Sequence, residues 1–210
     1  MIRILAADDH PIFRNGIRHI IEEENGMVLE DEAASGKEVL SLLGRKHYDI
    51  LVLDIEMPDM NGLEVLKQVK LLYPALPVLV LSFYSEEQYA IRALKLGASG
   101  YLAKESAAAN FVVAVEKIVS GKKYITDAVA QHLSEHFDKN PGDNPHQQLS
   151  DREYQVFFMI AEGRPVADIS SALNLSPKTI STYKKRICEK LNLQNDAQIV
   201  RYAMQKGIVR

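Results

Sequence analysis

The first 121 residues alternate five times between a short apolar run and a longer segment of helical spacing. The runs are Ile2–Ala7, Met27–Ala33, Ile50–Leu53, Pro77–Leu81 and Gly100–Ala103. Between and after them, Ile17, Ile20 and Ile21 share one helical face, as do Val39, Leu42 and Leu43. Leu63, Leu66 and Val69 mark a third such face, Ile91, Leu94 and Leu96 a fourth, and Val112, Val115 and Val119 a fifth. A strand that is apolar along its whole length must be covered on both sides. Strands separated by helices run parallel, because the helix carries the chain back across the sheet. The pattern predicts a doubly wound α/β domain: a parallel five-stranded sheet with helices on both faces.

The remainder reads differently. Residues 139–148, KNPGDNPHQQ, are nearly devoid of apolar side chains and contain two prolines and a glycine, which marks a linker. The preceding TDAVAQHLSEHF suits a short helix. From Leu149 onward no strand is evident, and the spacing predicts four helices at about 150–162, 166–173, 176–191 and 195–206. Ser150 with Glu153 and Asn195 with Gln198 have the spacing of capping boxes. Ser176 before Pro177 is an N-cap followed by proline at the first helical position. Gly163 and Gly207 stand where helices stop. The expected division is 1–121, a linker with a short helix over 122–148, and an all-α domain over 149–210. Charge follows the same division. Residues 1–125 hold 14 Lys/Arg against 18 Asp/Glu, whereas residues 149–210 hold 10 against 6. A basic C-terminal domain points to a polyanionic partner.

In an open parallel sheet, ligands bind beyond the carboxyl ends of the strands, near the point where strand order reverses. The polar residues at those ends are Asp8 and Asp9 after the first strand, Asp54 after the third, Ser82 after the fourth and Lys104 after the fifth. Any one of them alone is ordinary turn chemistry; the set is not. Clustered carboxylates repel one another unless a hard cation is present, and Mg2+ takes a few carboxylates together with water and phosphate oxygens. A rigidly held carboxylate can also act as a nucleophile toward phosphorus. Asp54 is the best candidate for that role, with Asp8 and Asp9 on the metal. Lys104 and the Ser82 hydroxyl would neutralise a transferred phosphoryl group.

A second site lies in LSPKTISTYKKRICEKL. As a helix it places Ile180, Ile187 and Leu191 on one face and Lys178, Ser181, Thr182, Lys185 and Glu189 on another. Residues 177–191 carry five Lys/Arg against one Glu. A helix, a short turn at Asn174–Ser176 and a basic second helix make the helix-turn-helix pattern, whose second member enters the DNA major groove.

These motifs carry two resemblances. AADDHP, VLDIEMPDMNG, VLS and GYLAKE resemble, in order and spacing, the receiver domain of two-component response regulators, over about residues 1–121. The resemblance implies a flavodoxin-like receiver with Asp54 as phosphoacceptor. It also implies Mg2+ held by Asp8, Asp9, Asp54 and the Glu56 backbone carbonyl, with Asp9 the more direct of the acidic pair. Ser82 and Lys104 would contact the phosphoryl group, Tyr101 would reorient when Ser82 moves, and Pro58 and Gly62 would shape the loop after the acceptor. LSDREYQVFFMIAEG, ADISSALNLSPKTIS and EKLNL resemble the LuxR-type helix-turn-helix of NarL/FixJ regulators over about residues 149–209. Ser181 stands where a lysine is frequent and Tyr183 where a histidine is frequent, a variant similar to the BvgA/GacA-like subgroup. By this resemblance Ser181, Thr182 and Lys185 approach bases, and Lys178, Lys184 and Lys190 lie near phosphates. The last helix, with Ile199, Val200 and Ala203, offers a dimer surface.

The expected protein is thus a phosphorylation-activated transcriptional regulator and not an enzyme. Its implied partners are a sensor histidine kinase, double-stranded promoter DNA, a second copy of itself when phosphorylated, and RNA polymerase. MIRILAADDH lacks the apolar stretch of a secretory signal, and no apolar run is long enough to span a bilayer. Cys188 is the only cysteine and cannot form an internal disulfide, which points to a reducing cytoplasm. A Mg2+-dependent phosphohydrolase is the competing chemistry. Asp54-Ile55-Glu56 lacks the second aspartate two residues on, and no substrate-binding domain is present.

Overall fold

The computed structural model describes residues 1–57, 59–83, 86–127, 129–131 and 145–209, with backbone only at 86–88. The chain divides into two compact units, Met1–Glu135 and His136–Arg210. In the first, the strands are β1 (Ile2–Ala7), β2 (Met27–Ala33), β3 (Ile50–Asp54), β4 (Val78–Ser82) and β5 (Gly100–Ala103). The helices are α1 (Pro11–Glu22), α2 (Gly36–Leu43), α3 (Gly62–Leu72), α4 (Glu86–Lys95) and α5 (Ala107–Val119). All strand pairings are parallel and the order is β2-β1-β3-β4-β5. That is the flavodoxin-like order, with strand order reversing between β1 and β3.

The continuous apolar runs split by alternation. Ile4, Ala6, Ile50, Val52, Leu79, Leu81 and Leu102 pack with Ile17 and Ile21 of α1 and Phe111, Ala114, Val115 and Ile118 of α5. Leu5, Leu51, Leu53, Val78 and Val80 are equally buried and point to the opposite face by alternation. There α2 contacts α3 and β2, and α3 contacts β3. The loop leaving β3 returns sharply: the Gly62 amide donates to the Ile55 carbonyl at 2.8 Å. A Cβ at Gly62 would stand 2.0 Å from the Asp54 carbonyl oxygen, so only glycine fits there. Asn61 then caps α3 through its side chain, and Asp59 accepts from the Gly36 and Lys37 amides of α2. The loop after β3 is pinned at both its far end and its flank. Pro58 lies outside the described residues.

Of the short helix expected after the first domain, residue 127 and residues 129–131 are helical, and its continuation lies outside the described residues. Within the segment read as linker, Pro145–Gln148 form a 3-10 turn, while 139–144 are not described.

The second unit holds α6 (Asp151–Ala161), α7 (Val166–Ala172), α8 (Pro177–Leu191) and α9 (Asp196–Gln205). Helix α6 is the hub: it contacts α7, α8 and α9. Val156, Phe157, Ile169, Ile180, Ile187 and Ile199 form a fully buried apolar centre. Ser150 and Glu153 form a reciprocal capping box. The second expected box is altered. Asn195 accepts from the Gln198 amide, but the Gln198 side chain accepts from the Gln194 amide rather than from Asn195. Its carboxamide satisfies the donor one residue further out. Ile199 and Ala203 do not form a dimer surface; both are buried, because α9 turns its apolar face onto α6. Val200 is half-buried.

Candidate functional site

The carboxyl ends of β1 and β3 meet where strand order reverses, and there the charged residues gather. Asp8 and Asp54 are buried, and Lys104, on the 3-10 turn after β5, is buried between them. Its ammonium lies 2.6 Å from Asp8 Oδ2 and 2.8 Å from Asp54 Oδ2. Ser82, at the end of β4 beside Asp54, is fully buried. Asp9 is half-buried at the rim and Glu56 half-buried in the loop. Asp8, Asp9, His10 and Asp54 bring one donor atom each within 4.8 Å of one another. Tyr101, on β5, is buried beside Val80 of β4.

One ammonium cannot balance this many carboxylates. Asp54 Oδ1 is buried and has no hydrogen-bond partner among the described residues. Burial pushes the Asp54 carboxyl well above the usual carboxylate range; Lys104 opposes that and Asp8 adds to it. Burial also disfavours the Lys104 ammonium, but the Asp54 and Asp8 charges outweigh it and raise its pKa. A dry carboxylate cluster with a buried, unpartnered oxygen fits a hard divalent cation.

Three residues at this site escaped the sequence reading. The Lys104 ammonium sits 4.6 Å from the Phe13 ring centre and 4.7 Å from that of Phe83. The two rings meet edge to face at 6.2 Å, and His10 stands edge-on to Phe83 at 6.1 Å. Neither Phe13 nor Phe83 is polar, so neither stood out among the strand-end groups. Only the adjacency of Phe83 to Ser82 and of His10 to Asp9 hinted at the site.

In the second unit, Ser176 caps α8 by accepting from the Thr179 amide. Asn174 and Asn192 adopt left-handed backbone at its two ends, where an asparagine is tolerated. The fold brings Lys178, Ser181, Thr182 and Lys185 onto one exposed face. The Ser181 and Thr182 hydroxyls donate to carbonyls one turn back, those of Pro177 and Lys178. Lys184 and Lys190 lie apart from that face. Lys184 pairs with Asp196 at 2.6 Å, and Lys190 with the buried Glu153 of the capping box, also at 2.6 Å. Both ammonium groups are engaged within the domain. Arg186, which the sequence reading passed over, is exposed beside Thr182 and Lys185 and has no ion pair among the described residues. Its place four residues after Thr182 was the available signal.

Comparison with known proteins follows the same division. Residues 4–116 match the response regulator receiver domain family, and residues 147–203 match the luxR family of bacterial regulatory proteins. The response regulator UvrY of Escherichia coli K12 is 32% identical over 209 residues, covering 99% of this chain and 96% of that protein. The response regulator GacA of Pseudomonas aeruginosa is 33% identical over 210 residues, covering 100% and 98%. The structure of RcsB from Salmonella enterica serovar Typhimurium, bound to promoter rprA with the phosphomimetic BeF3−, superposes with a TM-score of 0.64 at 27% identity, covering 96% and 97%. Among the described residues no helix is long and apolar enough to cross a membrane. With a receiver fold, a strand-end acidic pocket and a helix-turn-helix domain in one chain, the protein belongs to the NarL/FixJ family of two-component response regulators, DNA-binding transcriptional regulators of the LuxR type.

Proposed function

We propose that Asp54 accepts a phosphoryl group from the phosphohistidine of a sensor histidine kinase and that this switches promoter binding by the C-terminal domain. The observation that supports it most is the convergence of Asp54, Asp8 and Lys104, with buried Asp54 Oδ1 unpartnered among the described residues. An Asp54 oxygen attacks phosphorus, the bond to the donor imidazole breaks, and an acyl phosphate forms. Lys104 is already at the carboxylate to meet the incoming negative charge, and the Ser82 hydroxyl stands at the neighbouring strand end. The carboxylates of Asp8, Asp9 and Asp54 and the Glu56 carbonyl would hold Mg2+. When bound, the ion neutralises phosphoryl oxygens. Ser82 and Tyr101 carry the change outward, and phosphorylation acts by favouring one conformation over another.

In the same reading, residues 1–121 are the receiver, 122–148 the connection and 149–210 the DNA-binding domain. Ser181, Thr182 and Lys185 read bases, while Lys178 holds phosphate, joined by Lys184 and Lys190 only if their internal pairs open. The protein works in the cytoplasm as a regulator rather than a turnover enzyme. It binds as a phosphorylation-dependent homodimer and acts on RNA polymerase at the promoter. The test is labelling with a small phosphodonor and Mg2+. Asp54 alone should take up an acid-stable, base-labile phosphoryl group. Equal labelling of Asp54→Asn protein would overturn the assignment.

A further inference from the structure

A phosphorus atom has to come within bonding distance of Asp54, yet that carboxylate is shut in. Asp54 is 1% exposed, its Oδ1 is buried, and the Lys104 side chain beside it is inaccessible to water. A donor in solvent therefore has to displace something first. Next to Lys104 stand two rings. The ammonium lies over Phe13 and Phe83, 4.6 and 4.7 Å from their centres, and 2.8 Å from Asp54 Oδ2. The rings are held differently. Phe13 sits in the first turn of α1 and packs against the apolar core. Phe83 is the first residue past β4 and is 49% exposed, whereas Ser82 just before it is fully buried. Along this strand the boundary between pocket and solvent falls at Phe83. Leaving half a phenyl ring in water is unfavourable, and the attraction of the desolvated ammonium for the ring face offsets it. Because Phe83 lies outside β4, a change of its rotamer moves the ring without unpairing the sheet.

We propose that the Phe83 ring gates the pocket: stacked on Lys104 it keeps small phosphodonors from Asp54, and it is turned aside when a donor protein docks against its exposed side. This rests on the reading of Asp54 as the acceptor. A gate that is mostly shut scales the reaction down by the fraction that is open. The chemistry behind it is unchanged. An Asp54 oxygen attacks phosphorus, and the donor's leaving group departs with the electron pair of the bond that breaks. Phe83 thus selects the donor and takes no part in the transfer.

The test uses full-length protein, Mg2+ and phosphoramidate, a small donor whose P–N bond breaks to release ammonia. The initial rate of Asp54 labelling is measured for wild type, Phe83→Ala and Phe83→Tyr. Phe83→Ala should be labelled on the order of tenfold faster than wild type, since the gate is gone. Phe83→Tyr keeps a ring over the ammonium and should stay within about twofold of wild type. Urea unfolding of the receiver should be closely similar in all three, since half of the ring is already in water. If Phe83→Ala is labelled at Asp54 no faster than wild type, or Phe83→Tyr is as fast as Phe83→Ala, the ring is only packing and the inference fails. A faster rate in Phe83→Ala that comes with loss of the receiver's unfolding transition also counts against it. If none of the three is labelled at Asp54, the pocket is not a phosphoacceptor site and the underlying reading fails with the gate.

Discussion

The two units handle charge in opposite ways. The receiver folds its functional charge inward: Asp8, Asp54 and Lys104 are almost inaccessible to water. The DNA-binding domain keeps Lys178, Lys185 and Arg186 outside and pairs Lys184 and Lys190 within itself. A buried charge cluster is cooperative, because removing one member strands the others. Exposed charges act nearly independently and are screened by salt. The difference predicts all-or-none substitutions in the receiver and graded ones on the recognition helix.

The sharpest way to break this comparison is Lys104→Ala in metal-free protein. It leaves two carboxylates facing each other in a dry pocket and should destabilise the receiver by about 3–5 kcal/mol. Urea unfolding followed on the receiver transition measures it. A divalent cation should restore part of the loss, since it replaces the missing positive charge. A change within about 0.5 kcal/mol, the usual size for an exposed site, would mean the cluster is solvated and the contrast between the units false.

Next in size is Lys185→Ala on the recognition helix. Side chains that reach base edges carry discrimination, so the loss should be about 1–3 kcal/mol at one base position, with relaxed preference there. Binding-site selection measures it. Retained preference with a uniform loss of affinity would mean that α8 is rotated in the groove.

The third test concerns Glu153. Burial raises its pKa, but hydrogen bonds from Lys190 and the Ser150 amide prevail and lower it overall. A carboxyl with a depressed folded pKa stabilises fully above its unfolded value, near 4.3, and loses that contribution as pH falls through the folded value. Lys190→Ala should therefore destabilise the C-terminal unit at pH 7 by about 1 kcal/mol or less, as befits a partly exposed pair. The difference from wild type should shrink as the pH drops below about 4. A constant difference down to acid would show that Lys190 packs rather than pairs.

The limits of the sequence reading fall along the same divide. Strands β1, β2 and β5 ended where the runs did, although β2, at the sheet edge, is fully buried only at its two end residues. β4 began one residue late, at Val78, and β3 ran on to include Asp54. The gathering of Asp8, Asp54, Ser82 and Lys104 was legible because strand ends converge in any such sheet. The Phe13 and Phe83 bracket on Lys104 was not, since it depends on where one side chain turns in the first turn of α1 and another just past β4. Nor were the Lys190–Glu153 and Lys184–Asp196 pairs, which depend on the crossing of α8 with α6 and α9. Ile199 and Ala203 show the remaining ambiguity: an apolar helix face fits a core and a dimer surface equally well until its neighbour is known.

The smallest expected effect separates free from engaged cations on one helix. Each phosphate contact adds about one unit to the slope of log affinity against log salt and carries no sequence information. Lys178 and Arg186 are exposed without an ion pair among the described residues. Lys184 is held 2.6 Å from Asp196. A lysine already paired releases less counterion on binding, because part of its charge is neutralised beforehand. Lys178→Ala and Arg186→Ala should each reduce the salt slope by about one unit with base preference intact. Lys184→Ala should change it by clearly less, and Asp196→Asn, which frees Lys184, should raise the slope. Binding of one fixed operator and one scrambled duplex across a salt series reads all four variants. If Lys184→Ala matches Lys178→Ala, the Asp196 pair opens on DNA, and the second unit keeps its charges no more committed than an ordinary solvated surface.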